Sequence, residues 1–258
     1  MEPLMKFFNR ALMTSFLWLS FFALILMSWM YLFSMTKMAG LDLAGRTVGM
    51  SMMEAMKFSS LFLMWSVMMI AMMFPTMVPT LRSYQDLIKS ANGSLIGWIG
   101  VLAGYLVVWL CFSGMISAVQ IGLTSIGFMN MLGVLRSNLV ASILLIMVGL
   151  FQFTRLKDYC HGVCHSPMSY FLSHWRMGGL GGLRMGIGLG VFCVGCCWGF
   201  MLLGFVGGFM NILWMGLATF AMVVEKLPQL GRFVKKPLGG FLILLGGFLA
   251  LNNLNLIG

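Results

Sequence analysis

The sequence predicts an all-α fold: a polytopic membrane helix bundle of about seven transmembrane helices, N-terminus cytoplasmic and C-terminus outside, in a single integral membrane domain over residues 1–258. Three observations carry that expectation. Hydrophobic residues make up 60% of the chain and charged residues 9%, at a mean hydropathy of +0.99, a composition that no water-soluble domain keeps in solution. Apolar runs recur at about the length, roughly 20 helical residues, that a ~30 Å hydrocarbon layer requires. Lysines and arginines, finally, are shared unevenly between alternate run ends.

Seven runs carry the count, at residues 12–35, 58–80, 94–124, 138–153, 185–205, 209–224 and 238–256. The first is too long for a secretory apolar region and no small-residue cleavage site follows it, so it is expected to stay as a span. The short fourth and the long third imply tilt or an unwound end. Grouping basic residues by side puts Lys6, Arg10, Arg82, Lys89, Arg155, Lys157, Arg176, Arg184, Lys226, Arg232, Lys235 and Lys236 together, 12 of 16, against Lys37, Arg46, Lys57 and Arg136. The net charge of +10 therefore orients a protein in a bilayer, expected to be a bacterial inner membrane, and gives no ground for a nucleic-acid partner.

Within the spans, Pro75 and Pro79 should kink or end the second. The glycines of residues 178–182 predict a flexible approach to the fifth. Gly186 with Gly190, and Gly195 with Gly199, are small-xxx-small pairs that let neighbouring backbones come close, so the fifth helix is expected at the centre of the bundle.

Sulfur is the compositional anomaly. Ten of the 28 methionines fall in the 28 residues from Met50 to Met77. Met52, Met56, Met64, Met68 and Met72 follow a four-residue spacing, with Ser60 filling the gap, that stacks thioethers on one side of a helix. The plain alternative is packing, because Met is an adaptable core residue. In "FCVGCCWGFM", Cys193 and Cys197 share a face and Cys196 lies beside them. Thiolates and thioethers select Cu(I), whereas a buried free cysteine can equally serve as a small hydrophobe. The second cysteine group, "DYCHGVCHSP", offers Cys160, His161, Cys164 and His165 in what reads as a cytoplasmic loop; four such ligands suit a tetrahedral site, with zinc as the ion at the Cys160/Cys164 group, and the pattern also resembles a haem attachment sequence with an extra residue. Acidic residues are scarce: Glu54 and Glu225 lie near span ends, and the adjacent Lys226 is expected to neutralise Glu225. No carboxylate pair, Ser-His-Asp set or phosphate-binding glycine loop is visible, which removes hydrolases and kinases.

The stretches "MWSVMMIAMMFPTMVPT", "FQFTRLKDYCHGVCHSP" and "CVGCCWGFMLLGFVGGFMNILWMGLATFAMVVEKLP" together resemble the predicted metal-binding integral membrane proteins, a family grouped as a domain of unknown function. The resemblance spans about two thirds of the chain, from the second run to the sixth. It implies a multi-span protein with metal binding and no established reaction, and its characteristic cysteines fall at Cys160, Cys164, Cys193, Cys196 and Cys197; His165 stands where the family pattern leads one to expect Arg.

These readings converge on a membrane protein that binds a soft metal, Cu(I), for transport, storage or delivery. Its expected partners are the lipid bilayer, a membrane cuproenzyme complex and a metallochaperone. The expected metal ligands are Cys193, Cys196, Cys197, Met64, Met68, Met72, Met215, Cys160, Cys164, His161 and His165, with residues 50–56 capturing the ion at the outer side. Depth supports the set, because counting inward from Arg184, Arg82 and Lys226 brings the fifth-span cysteines, Met68 and Met72, and Met215 to one level. Two other readings stay open: an accessory subunit of a larger membrane oxidase or monooxygenase, and a thiol-redox membrane protein.

Overall fold

The computed structural model describes residues 2–46, 57–90, 93–130, 133–227 and 230–255, and among them forms helices and no strand beyond one isolated bridge between Met129 and Leu135. In chain order these are α1 (Glu2–Met38), α2 (Phe58–Ser90), α3 (Leu95–Ser125), α4 (Asn138–Phe151), α5 (Arg155–His165), α6 (Pro167–His174), α7 (Gly178–Leu202), α8 (Gly204–Gly207), α9 (Ile212–Lys226) and α10 (Gly231–Asn255). Met50, Met52, Glu54 and Met56 lie outside the described residues.

Five stretches are long and apolar enough to cross a membrane: Leu12–Met38, Phe58–Ile88, Leu95–Ser125, Gly178–Gly207 and Phe233–Asn253. The fourth apolar run forms the 14-residue α4, then turns by 63° into α5, and the pair counts as a sixth if taken as one broken span. The sixth apolar run becomes the 15-residue α9, about 22 Å long at 1.5 Å per residue, shorter than a ~30 Å hydrocarbon layer.

The prolines do not end the second span. Helix α2 runs through Pro75 and Pro79 to Ser90. Pro75 has no N–H for the carbonyl of Ala71, one turn earlier, and the indole N–H of Trp29 on α1 donates to that carbonyl at 3.1 Å. A neighbouring helix thus replaces the bond that proline removes.

Nor is the glycine run at 178–182 a flexible lead-in, since it is the first turn of α7. Its purpose is close packing on α3. A Cβ on Gly182 would collide with the carbonyl of Gly97, one on Gly186 with that of Val101, and one on Gly104 with that of Leu183. Further along α7, Gly195 faces Cys160 of α5 and Gly199 faces Val148 of α4. The expectation that this helix is central holds, because α3, α4 and α5 all lie on its glycine faces.

Candidate metal centre

Helix α5 is the first correction. The stretch read as a loop is an 11-residue helix, started by the Thr154 hydroxyl accepting from the Lys157 N–H and followed by Pro167 at the head of α6. Cys160 and Cys164, four apart, share its inner face. Cys160 lies against Gly195, and Cys164 Sγ comes within 4.0 Å of Cys196 Sγ on α7. The two cysteine groups expected to be separate therefore meet. The His161 and His165 rings lie 5.3 Å apart between centroids, tilted by 32°, but His161 Nε2 is 2.7 Å from the Glu225 carbonyl, and Cys160, His161, Cys164 and His165 do not close into one tetrahedral set.

On α7 the three cysteines are all buried, and their sulfurs lie within 4.8 Å of one another. Cys196 Sγ and Cys197 Sγ are 3.3 Å apart. Among the described residues this is the one group of three or more Cys, His, Asp or Glu side chains whose ligand atoms cluster so closely. With Cys164 beside it, the site gathers four sulfurs from two helices.

A polar knot sits on Cys193. Lys226 Nζ donates to Cys193 Sγ at 2.9 Å and to the Thr76 hydroxyl at 2.9 Å, and the Tyr105 hydroxyl is 3.0 Å from the same sulfur. Four helices, α2, α3, α7 and α9, each contribute one group. Tyr105 is fully buried and Lys226 only 5% exposed. An ammonium offers three donors and no acceptor, so inside an apolar bundle it must find acceptors, and here a sulfur is one of them.

Lys226 does not neutralise Glu225. Neighbours in a helix sequence do not face each other, so the two point apart. Glu225 instead takes both carboxylate oxygens to Lys157 Nζ, at 2.8 and 3.1 Å. Lys157 is completely buried and its ammonium also lies over the Phe200 ring. Among the described residues, three of the 12 basic residues assigned to one membrane side, Lys157, Lys226 and Lys235, are thus buried, which leaves 9 against 4 for the orientation argument. Counting depth from Lys226 also misplaces Met215, because Lys226 is itself at the level of Cys193.

The expected thioethers are buried, one helical turn away. Met68, Met72 and Met215 line a void of about 10 Å³ together with Met201, which follows Cys197 by one turn on α7. Met64 and Met215 line a second void of about 10 Å³ with Met35 and Met210. Sequence reading missed Lys226, Lys157, Tyr105, Thr76, Met35, Met201 and Met210. For the lysines a signal was available: a charge within reach of an apolar span asks for a named partner.

No curated protein and no solved structure shows a significant match. A family described as copper chaperones, PpoB2, matches residues 62–249, well over half of the chain and the whole of the sulfur site. A soft-donor cluster at the heart of the matched region is what copper handling requires, a role of carrying metal and not of catalysis, and the chain belongs to the PpoB2 copper chaperone family.

Proposed function

We propose that this protein holds Cu(I), its cargo, on Cys193, Cys196 and Cys197 with Cys164 as a fourth sulfur, and delivers it to a membrane cuproenzyme. One observation carries the reading: three buried sulfurs lie within 4.8 Å of one another, with no free carboxylate clustered beside them among the described residues. The nearby acid, Glu225, is held by Lys157 through both oxygens. A sulfur donor set without oxygen ligands selects Cu(I) over Mg, Ca or Mn, and no four-ligand set on α5 favours zinc. We take the resemblance to predicted metal-binding integral membrane proteins and the copper chaperone match to describe one group of proteins.

The location is an inner membrane of a bacterium, with the lipid bilayer against the apolar outer faces. Seven crossings result if α4 with α5 is one bent span and α9 a short one, so that the N-terminus is cytoplasmic and the C-terminus outside. A reporter that works only outside the cytoplasm should be active when fused after Gly258. Activity of a cytoplasm-only reporter there would reject the seven-span topology.

Protein purified without oxygen from copper-fed cells should contain stoichiometric copper, with a sulfur-only ligand shell in X-ray absorption. Zinc in its place, or no metal on intact thiols, would sink the copper reading.

A further inference from the structure

Cys193, Cys196 and Cys197 are buried, so an ion needs a way in. At the far end of α1, an open-mouthed cavity of about 560 Å³ is lined by Phe33, Thr36, Lys37, Asp42 and Leu213, among others. It is built where the segment after α1 folds back on α9: the Leu213 N–H donates to the Leu43 carbonyl at 3.2 Å, and Asp42 Oδ1 accepts from the Ala44 and Arg46 N–H groups at 2.9 and 2.8 Å. Thr36 lines this cavity and also the void of Met35, Met64, Met210 and Met215. Met215 in turn lines that void and the next, with Met68, Met72 and Met201. From Met201 the remaining step to Cys197 is one helical turn, about 6 Å.

We propose that this series of voids is the loading route for Cu(I), running from the cavity at Thr36 through two thioether stations joined by Met215 and ending on Cys197. The proposal rests on the copper reading above and adds the path, its mouth and the crossing residue. The route is not the single thioether row of α2, because each station draws its sulfurs from three parts of the chain: α1, α2 and the α9 end for the first, α2, α7 and α9 for the second.

Packing alone does not account for this distribution. Methionine is 28 of 258 residues, about one in nine, yet it supplies half of the residues lining the first void and 4 of the 9 lining the second. Voids of about 10 Å³ are too small for a hydrated ion and lie between apolar walls, which keeps them dry. A bare soft cation fits such a place only when sulfurs replace its water, and the three rotatable bonds of Met let the thioethers turn toward it. The mouth carries Lys37 and Asp42, one charge of each sign, so its field neither gathers nor repels a monovalent ion. Selection falls to the sulfurs inside.

The route and the holding site separate in kinetics. The probe is Cu(I) bound to bicinchoninate, and its transfer to the detergent-purified, copper-free protein is followed by stopped-flow absorbance and by final copper per chain. Met215→Leu keeps most of the volume, a change of the kind that usually costs under about 1.5 kcal/mol, and removes the shared sulfur. It should slow loading at least about 10-fold, equivalent to roughly 1.4 kcal/mol on the barrier, while final copper stays at the wild-type level. Met201→Leu should slow loading in the same direction, and Met115→Leu, on an exposed position of α3, should leave the rate unchanged. Wild-type loading rates in Met215→Leu and Met201→Leu, with full copper content, would overturn the route and leave the cysteine site standing. Loss of final copper in Met215→Leu would make Met215 a holding ligand and overturn its role as a crossing point. Absence of copper uptake by the wild-type protein would fail the copper reading itself.

Discussion

Cys193→Ser should lower Cu(I) affinity by more than about 100-fold. Residues that only orient a ligand typically cost 10–100-fold when lost, and Cys193 stands at the junction of everything in the site, so its removal should exceed that range. Its sulfur belongs to the three-cysteine cluster and also accepts from Lys226. Serine keeps the acceptor for Lys226 and nearly the same volume, so the bundle should fold and the loss should be confined to the metal. Cys111→Ser, at an exposed cysteine outside the cluster, is the matched control and should bind copper normally. A competition titration decides it: wild-type affinity in Cys193→Ser would remove the sulfur cluster as the holding site. A disulfide that forms and reduces reversibly in the copper-free protein, with no copper taken up, would favour a thiol-redox role.

The second large effect is expected at Lys226. Cu(I) bound by two thiolates carries one net negative charge, and by three thiolates two, inside an apolar interior where isolated charge is costly. Lys226 is the buried cation touching that cluster, since the charge of Lys157 is already matched by Glu225. Lys226→Met should therefore weaken Cu(I) binding about 10–100-fold, with Lys226→Arg retaining more affinity than Lys226→Gln. Stability should move the other way. Replacing a buried charge that has no carboxylate partner by an apolar chain of similar shape is neutral or stabilising, so the copper-free variant should melt no lower than wild type. Affinity unchanged in Lys226→Met, or affinity and melting temperature falling together, would show that Lys226 is a packing residue and not the counter-charge.

The class of fold was legible because it depends on sums: apolar content, run length and charge asymmetry survive errors of several residues. The glycine pairs of α7 were legible for a similar reason, since small side chains at fixed spacing have one main use in a helix bundle. Other features depended on which way single side chains point. Glu225 and Lys226 were paired because they are adjacent, whereas the helix turns them toward different partners, Lys157 and Cys193. Cys160 and Cys164 were placed in a loop because the segment is short and polar; its Thr154 cap and following Pro167 were helix signals, but only tertiary packing brings Cys164 to Cys196. The α2 methionines were seen as a row, while Met35, Met201 and Met210, spread over other parts of the chain, have no spacing that would reveal them as their neighbours.

The glycine faces between α3 and α7 have a mechanical meaning for the sulfur site. Where backbone lies against backbone, with carbonyls filling the room a Cβ would need, neither sliding nor rotation is available without collision. That pair is the stator of the machine. Helix α5 meets α7 at Gly195 through the side chain of Cys160, not through its backbone, and is tied to α9 by Lys157 to Glu225 and by His161 to the Glu225 carbonyl. Three of the four gathered sulfurs therefore ride on the stator, while Cys164 rides on α5. On the proposed copper reading, three of the ion's sulfurs are held in a fixed frame and the fourth stands on a separate helix, so the ligand shell divides three to one between two bodies.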